Sequence, residues 1–269
     1  MNWRPQHPNH AIERTRIAIQ FKDNLPQKTI KSLGEGFNST RADFSFGPRI
    51  EVQTHTLSIQ TDKPSAASVV QQDRGWQFVR EAAPGVIVEA VVLDHEGLVY
   101  ENVEYVRWTD FWGRAEQILR PLVEGASAVT DLRLFAIEYF DRFIYRGPLE
   151  DASPDELINE VLTATLTNSA RGGRELWHIH RGWYETYEGT RVLINQNLDA
   201  NENKLPSGEL ARTVGVYTKV ERRNKNEIVD AAEIWHEMVK MHVISKEVFM
   251  SAISQMAQGL VGIENDSHR

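Results

Sequence analysis

One stretch of this chain constrains its fold more than any other: Leu132–Tyr145, which reads LRLFAIEYFDRFIY. Its apolar residues occur on both phases of a two-residue repeat, which is typical of a strand covered on both faces. A half-buried surface strand would instead alternate strictly between apolar and polar residues. The pattern therefore predicts a central strand of a sheet.

Antiparallel strands are also predicted through the first half of the chain. Residues 16–21 alternate between polar and apolar types, as a half-buried strand does. The four residues 94–97 end in glycine and suit a hairpin loop. The other strands predicted in this half are 50–56, 76–79, 86–93 and 98–108, with a polar loop over 61–73. Together these strands predict an antiparallel meander.

Two helices are predicted around that meander. Pro26 occupies a position typical of the first residue of a helix. Gly34 and Gly36 indicate that this helix is short and frays. A second helix is predicted to be capped at residues 109–110, and Pro121 is expected to kink or end it. The apolar stripe of the first helix consists of Ile30, Leu33 and Phe37.

The second half repeats this succession of elements. Residues 153–156 (SPDE) combine a serine cap, a proline at the first helical position and a capping-box glutamate, so a helix is predicted there. A second capping box, at 230–233, predicts a helix, and Ser245 is expected to start another. The tail 263–269 is expected to be disordered. Between these helices, strands are predicted at 175–186, 191–199 and 212–221.

The order of elements predicts an α+β fold built from two similar units. Residues 1–128 and 129–262 each read as strand, helix, antiparallel sheet and helix. Such units leave one apolar sheet face that helices cover, so the two are expected to merge into one curved sheet with helices behind. This plan resembles the TATA-binding and helix-grip folds. The alternative is a single irregular α+β domain whose halves are alike by chance.

Composition narrows the classes of function. The chain has no cysteine, which excludes disulfides, thiolate zinc sites and a cysteine nucleophile and fits a cytoplasmic location. The longest apolar run, 86–93, is interrupted by Glu89 and is too short to span a membrane. A net charge of -8 disfavours nucleic acid as a partner. The basic cluster 222–225 is interpreted as a solvated loop.

The segment ELWHIHRGWYETY contains the most distinctive candidate site, His178 and His180. In a strand, Leu176, His178, His180, Gly182 and Tyr184 share one face, while Trp177, Ile179, Arg181 and Trp183 share the other and are expected to face the core. Three interpretations remain: an exposed polar strand face, a metal site, and a binding platform that includes Tyr184 and Tyr187. A metal would need a further ligand, for which the candidates are Glu138, Asp141, Glu185, His236 and His242.

Glu138 and Arg142 form a second candidate site on the apolar segment Leu132–Tyr145. A carboxylate in such a strand is costly unless it is paired. Glu138 therefore either sits at an opening or is neutralised by an arginine, for which Arg133 and Arg142 are the candidates. A buried structural ion pair and a functional group both fit this pattern, because both perturb pKa values.

Several segments resemble a sporadically distributed bacterial family of about this length. The segments that carry the resemblance are HPNHAIERTRIAIQF, TDFWGRAEQILRPL, LRLFAIEYFDRF, RVLINQNLD and the closing tryptophan-bearing helix, and together they span nearly the whole chain. The resemblance implies a small intracellular bacterial protein of patchy occurrence, as in mobile, phage-related, defence or toxin-antitoxin loci. It supplies no catalytic residues to carry over.

Two functional hypotheses follow from the sequence. The favoured one is a non-catalytic binding protein that presents a sheet or helix face to another protein, because no acid, base and nucleophile converge in sequence. Its binding residues would be His178, His180, Tyr184, Tyr187, Glu138 and Arg142, with no cofactor. The alternative is a metal-dependent hydrolase or nuclease that uses His178 and His180 with Glu138 or Asp141.

Overall fold

A computed structural model describes residues 2–59, 67–165, 176–205, 208–223 and 232–262. The chain is α+β: within those residues, ten β-strands form antiparallel pairs and five segments are α-helical. The strands are β1 Trp3–Pro5, β2 Ile12–Phe21, β3 Ile50–Ile59, β4 Ala67–Ala83, β5 Val86–Asp94, β6 Gly97–Asn102, β7 Leu132–Tyr145, β8 Trp177–Tyr187, β9 Thr190–Lys204 and β10 Leu210–Arg223. The helices are α1 Gln27–Thr40, α2 Trp108–Ser127, α3 Glu160–Thr165, α4 Glu233–Ala252 and α5 Gln255–Leu260.

The chain divides into two compact units. The first unit comprises the described residues of 1–16, 136–223 and 235–269, and the second comprises those of 17–135 and 224–234. Strands β2 and β7 contribute residues to both units. The predicted units 1–128 and 129–262 partition the chain by the order of its elements and not by contacts, so the two divisions describe different properties.

In the second unit the strand order is β3-β4-β5-β6-β2. Helix α1 buries Ile30 and Phe37 as predicted, but it does not fray at its glycines and continues to Thr40. Gly34 is buried, and the Trp76 indole ring packs against it. A Cβ at this position would lie 2.1 Å from Trp76 Cδ1, so the missing side chain makes room for the ring. Helix α2 likewise runs past Pro121 to Ser127.

Two strand boundaries in the second unit differ from the prediction. Strand β4 starts at Ala67, so residues 67–73, predicted as loop, pair with β3 instead. Strand β6 ends at Asn102 and does not continue to residue 108. The Asn102 side-chain oxygen accepts a hydrogen bond from the Glu104 amide at 2.7 Å, a local turn that competes with the strand.

In the first unit the strand order is β7-β10-β9-β8, and β1 pairs with β7. The predicted strand over Leu132–Tyr145 is confirmed at both of its ends. The apolar core of this unit includes residues of α4 and α5 as well as of the strands. It consists of Trp3, Ala11, Phe143, Tyr145, Leu157, Ile158, Leu198, Ala200, Val214, Val216, Phe249, Ala252, Ile253, Ala257 and Val261.

The helical predictions in the second half were wrong in two places. Ser153 makes no capping hydrogen bond, and a 3-10 turn over Pro154–Leu157 is followed by the extended residue Ile158 before α3 begins. Ile158 is buried and bridges to Ile253, so tertiary packing overrides the capping box. Ser245 lies inside the continuous helix α4, where its hydroxyl donates to the His242 carbonyl at 2.7 Å. Asp230 and the tail 263–269 lie outside the described residues.

Candidate functional site

The sheet of the first unit has two chemically different faces. His178, His180 and Tyr184 are exposed and share one face of β8, which we call the open face. Trp177 and Ile179 lie on the opposite face and pack against the core. The predicted assignment of these side chains to the two faces of β8 is therefore confirmed.

A row of polar side chains crosses the open face from β7 to β8. His180 is the cross-strand partner of Asn197, and Asn197 is the partner of Tyr217. The Tyr217 hydroxyl donates to Glu138 Oε2 at 3.1 Å, and a ring nitrogen of His180 bonds the Asn197 side-chain oxygen. Glu138 and His180 thus share a face, but three strand spacings, roughly 14 Å, separate their backbones.

Tyr184 is the largest exposed aromatic group on the open face. The residue is 54% exposed, and the Arg191 guanidinium lies 4.3 Å from the centre of its ring. Tyr187 is three positions further along β8, so the alternation of the strand places it on the opposite face. It ends the strand at a tight hairpin whose turn residues, Glu188 and Gly189, both have positive φ. Of the two tyrosines predicted for the platform, only Tyr184 therefore lies on the open face.

Glu138 and Arg142 belong to two separate ion pairs on the open face. Glu138 is 4% exposed and lies 3.7 Å from Arg16, so the predicted partners, Arg133 and Arg142, were wrong. Burial and the nearby Glu138 carboxylate raise the pKa of Tyr217, which keeps that hydroxyl a donor. Arg142 pairs instead with Glu13 at 2.8 Å.

Glu221 is a buried charged group on the open face that the sequence analysis missed. It is 2% exposed, and Lys219 Nζ lies 2.7 Å from its Oε2 while Arg223 pairs with its other oxygen. Burial raises the pKa of Glu221, but the hydrogen bonds from Lys219 and Arg223 outweigh that effect and hold it below its usual range. Alternation along β10 is the signal that would have placed Lys219, Glu221 and Arg223 on one face.

The basic cluster at 222–225 is not the solvated loop that was predicted, as far as it is described. Strand β10 continues through Arg223. Arg222 lies 2.8 Å from Glu237 of α4, and its side chain is only 16% exposed. Asn224 and Lys225 lie outside the described residues. The two arginines therefore carry structural ion pairs at the end of a strand.

Asp141 and His242 lie on the helix side of the sheet and not on the open face. Asp141 is 5% exposed, and burial raises its pKa to about 8. His242 of α4 bonds the Tyr139 hydroxyl through Nδ1 at 2.8 Å. Burial, with a smaller contribution from Lys246, lowers the pKa of His242 to about 4, so this imidazole is neutral at pH 7.

Replacing Asp141 with asparagine is expected to remove a pH-dependent loss of stability. In the unfolded chain an aspartate has a pKa of about 3.9, whereas the folded value is about 8. Between these values the unfolded chain releases a proton that the folded protein keeps, so this residue lowers the free energy of unfolding as pH rises. Between pH 5 and pH 8, the free energy of unfolding of Asp141→Asn should therefore rise relative to that of wild type by on the order of 2–4 kcal/mol.

Urea unfolding at the two pH values measures that difference. Any change in the free energy of unfolding that the new amide causes equally at both pH values cancels, because only the difference between the two pH values is compared. Asp23→Asn, at an exposed carboxylate, is the matched control and should follow wild type at both pH values. Parallel pH profiles for wild type and Asp141→Asn would show that Asp141 is ionised in the folded protein.

The residues named in the hydrolase hypothesis do not lie together in one group. Glu138 is three strands from His180, and Asp141 is on the other face of the sheet. Asp199, which the sequence analysis missed, is the cross-strand partner of His178, and its carboxylate accepts a hydrogen bond from Asn201. Within the described ranges, no three His, Asp or Glu side chains are grouped so that they could hold a metal ion.

Comparison with known proteins adds no assignment: no family model matches the chain, and a search of curated proteins gives no match. The resemblance to the sporadically distributed bacterial family therefore stays a prediction. None of the helices in the described part of the chain combines the length and apolar character that crossing a membrane requires.

Proposed function

We propose that this is a non-catalytic binding protein that recognises another protein through the open face at β8 and β9. The observation that carries the proposal is the exposed group made by Tyr184 and Arg191, with His178 and His180 beside it on the same face. Aromatic residues and arginine are the side chains most enriched at the energetic centres of protein interfaces. They offer a large contact area with few rotatable bonds.

The charges of the open face favour a protein over a nucleic acid. The carboxylates of Glu13, Glu138 and Glu221 each lie beside at least one cation of the same unit. A face of matched acids and bases has little net attraction for a phosphate backbone, and the chain as a whole carries -8. A protein partner can instead use the aromatic groups and the remaining hydrogen-bonding capacity of Asn195 and Asn197.

The position of β8 supports the same partner class. Strand β8 is the last in the order β7-β10-β9-β8, and β9 is its only pairing partner among the described strands. An edge strand of 11 residues presents backbone donors and acceptors that a partner strand can pair with. Side chains on the open face would then add selectivity to that backbone pairing.

We also propose that the chain is a duplicated unit of the kind found in TATA-binding and helix-grip folds. The order β2, α1, β3 to β6, α2 in the first half matches the order β7, α3, β8 to β10, α4 in the second. This recurrence supports duplication because each series has a lone strand, a helix, a meander and a closing helix. An intracellular role in a defence, phage-related or toxin-antitoxin locus rests on the family resemblance alone.

Purification from the source organism under native conditions tests the binding function. The full-length protein is expected to recover one partner protein in near-stoichiometric amount. The double variant His180→Ala, Tyr184→Ala should recover at least about tenfold less, because truncating central anchors typically costs more than about 1.4 kcal/mol of binding free energy. Both residues are exposed, so the unfolding free energy should change little.

The matched control is Glu247→Ala, an exposed position on α4. It should retain wild-type recovery of the partner. Repeated recovery of the protein alone would count against any binding function. Equal losses in the double variant and in the control would show that the partner binds elsewhere.

A further inference from the structure

The first unit contains a polar cleft of about 580 Å³ that the proposed function does not use. It is lined by residues of β2, β7, β9 and the segments that follow them, among them Glu13, Arg142, Ile144, Arg146, Lys204 and Leu205. Its volume falls in the range of clefts that bind small molecules, about 300–1,000 Å³. The cleft is therefore large enough for a small organic ligand.

The charge of this cleft is opposite to that of the whole chain. Three cations, Arg142, Arg146 and Lys204, line it together with one carboxylate, Glu13, which gives a local charge of 3 - 1 = +2 against -8 overall. Arg142 Nε is already paired with Glu13 at 2.8 Å. The side chains of Arg146 and Lys204 are exposed and make no ion pair with any residue in the described part of the chain. Two cationic groups are thus available to a ligand.

The other walls of the cleft combine hydrogen-bonding and apolar groups. Arg142 Nη1 donates to Thr213 Oγ1 at 3.3 Å, and Asn203 Nδ2 donates to the same oxygen at 2.7 Å, so these side chains hold one another in place. Ile144 and Leu205 supply apolar surface beside them. A few oriented polar groups against apolar walls are typical of a small-molecule site.

From this charge and shape we infer that the cleft binds a small organic anion, whose carboxylate or phosphate group pairs with Arg146 and Lys204 while its carbon skeleton contacts Ile144 and Leu205. Guanidinium and ammonium groups bind both oxyanions through charge-assisted hydrogen bonds. Arg142, held by Glu13 and Thr213, orients the same end of the ligand. The inference is independent of partner recognition at β8 and β9.

Titration of the full-length protein with succinate, glycerol 3-phosphate and inorganic phosphate tests the site. Amide chemical shifts are followed for Asn203, Leu205 and Thr213, which report on the cleft directly. At least one of the two organic anions is expected to bind saturably and more tightly than inorganic phosphate, and comparison of the two shows which oxyanion is preferred. Affinity should fall as salt is raised, because the contacts are exposed to solvent.

The variants Arg146→Gln and Lys204→Gln should each weaken binding about tenfold, as loss of one charge-assisted hydrogen bond does. Lys28→Gln and Arg133→Gln remove the same charges at exposed positions outside the cleft and should leave the affinity within about twofold of wild type. His180→Ala should also bind normally, which separates this site from partner recognition. The inference is overturned if no anion binds saturably, if inorganic phosphate binds as tightly as both organic anions, or if the control variants lose as much affinity as the cleft variants.

Discussion

Replacing Glu89 with glutamine is expected to lower the free energy of unfolding by about 3–5 kcal/mol, since it breaks a buried charge network. The Glu89 side chain is fully buried on β5 and lies 2.7 Å from Arg80 Nε and 2.6 Å from Arg114 Nε. The Tyr100 hydroxyl donates to the same carboxylate at 2.6 Å. Glutamine fits the space but cannot accept all of these charge-assisted hydrogen bonds, which leaves two arginines without their shared anion.

The pH dependence of this effect has a defined sign. Burial raises the pKa of Glu89, but hydrogen bonds from Arg114, Tyr100 and Arg80 outweigh burial and hold it below its usual range. Because the pKa of Glu89 is lower in the folded protein, its contribution to the free energy of unfolding is present above the unfolded pKa of about 4.3. This contribution is lost as the pH falls through the folded pKa. The difference in stability between wild type and Glu89→Gln should therefore shrink in acid.

Chemical denaturation at pH 7 measures the effect, and Glu104→Gln is the matched control. Glu104 also pairs with Arg80, at 2.8 Å, but it is 47% exposed, so its loss should cost no more than about 1 kcal/mol. Equal effects of the two substitutions would contradict the assignment of Glu89 as the centre of the network.

Replacing Trp3 with alanine is expected to cost about 3–5 kcal/mol of stability, which is typical of removing a fully buried large aromatic residue. Trp3 is 0% exposed although it is close to the N-terminus. Its ring packs edge-to-face against Tyr145 at 5.1 Å, and the two residues are cross-strand partners in β1 and β7. The substitution would leave a cavity in the core of the first unit, to which Phe143 and Phe249 also belong.

Trp3→Phe separates packing from any role of the indole nitrogen. Trp3 Nε1 is buried without a hydrogen-bond partner among the described residues, so phenylalanine removes no such bond and keeps an aromatic ring. It should cost clearly less than Trp3→Ala, by about 2 kcal/mol or more. Thermal or urea unfolding of both variants measures this difference. A Trp3→Ala variant as stable as wild type would show that β1 is not part of the folded core.

The elements that could be predicted from sequence are those with long, uninterrupted patterns. Leu132–Tyr145 is buried on both faces over most of its length, and its amino-acid pattern gives both of its ends. The two-residue alternation of polar and apolar residues in β8 predicts which side chains share a face, and that His178 and His180 are on the exposed face. Such patterns repeat over many residues, so a single local exception does not change the result.

Local signals were misleading where a contact distant in sequence decides the structure. The capping box at Ser153 predicts a helix, but burial of Ile158 against Ile253 holds that residue extended. The short strand β1 has too few residues for a periodic pattern, so burial of Trp3 could not be foreseen. Gly34 reads as a helix breaker, whereas the packing of Trp76 against it is the reason that glycine fits there.

The candidate site was predictable only in part, for the same physical reason. Alternation places His178, His180 and Tyr184 together because they share one strand. The partners of Glu138 depend on which strands are neighbours, and no local pattern specifies that Arg16 and Tyr217 lie beside it. The stacking of Arg191 on Tyr184 likewise depends on the register of the β8–β9 hairpin, which its two-residue turn sets.

Photo-crosslinking inside cells of the source organism tests the open face as a recognition surface most directly. A photoreactive amino acid is placed at position 184 on the open face in one sample and at position 247 on α4 in another. We expect position 184 to form a covalent adduct with one partner protein and position 247 to form none. An absence of adducts at position 184, or adducts of equal yield at both positions, would contradict recognition through this face.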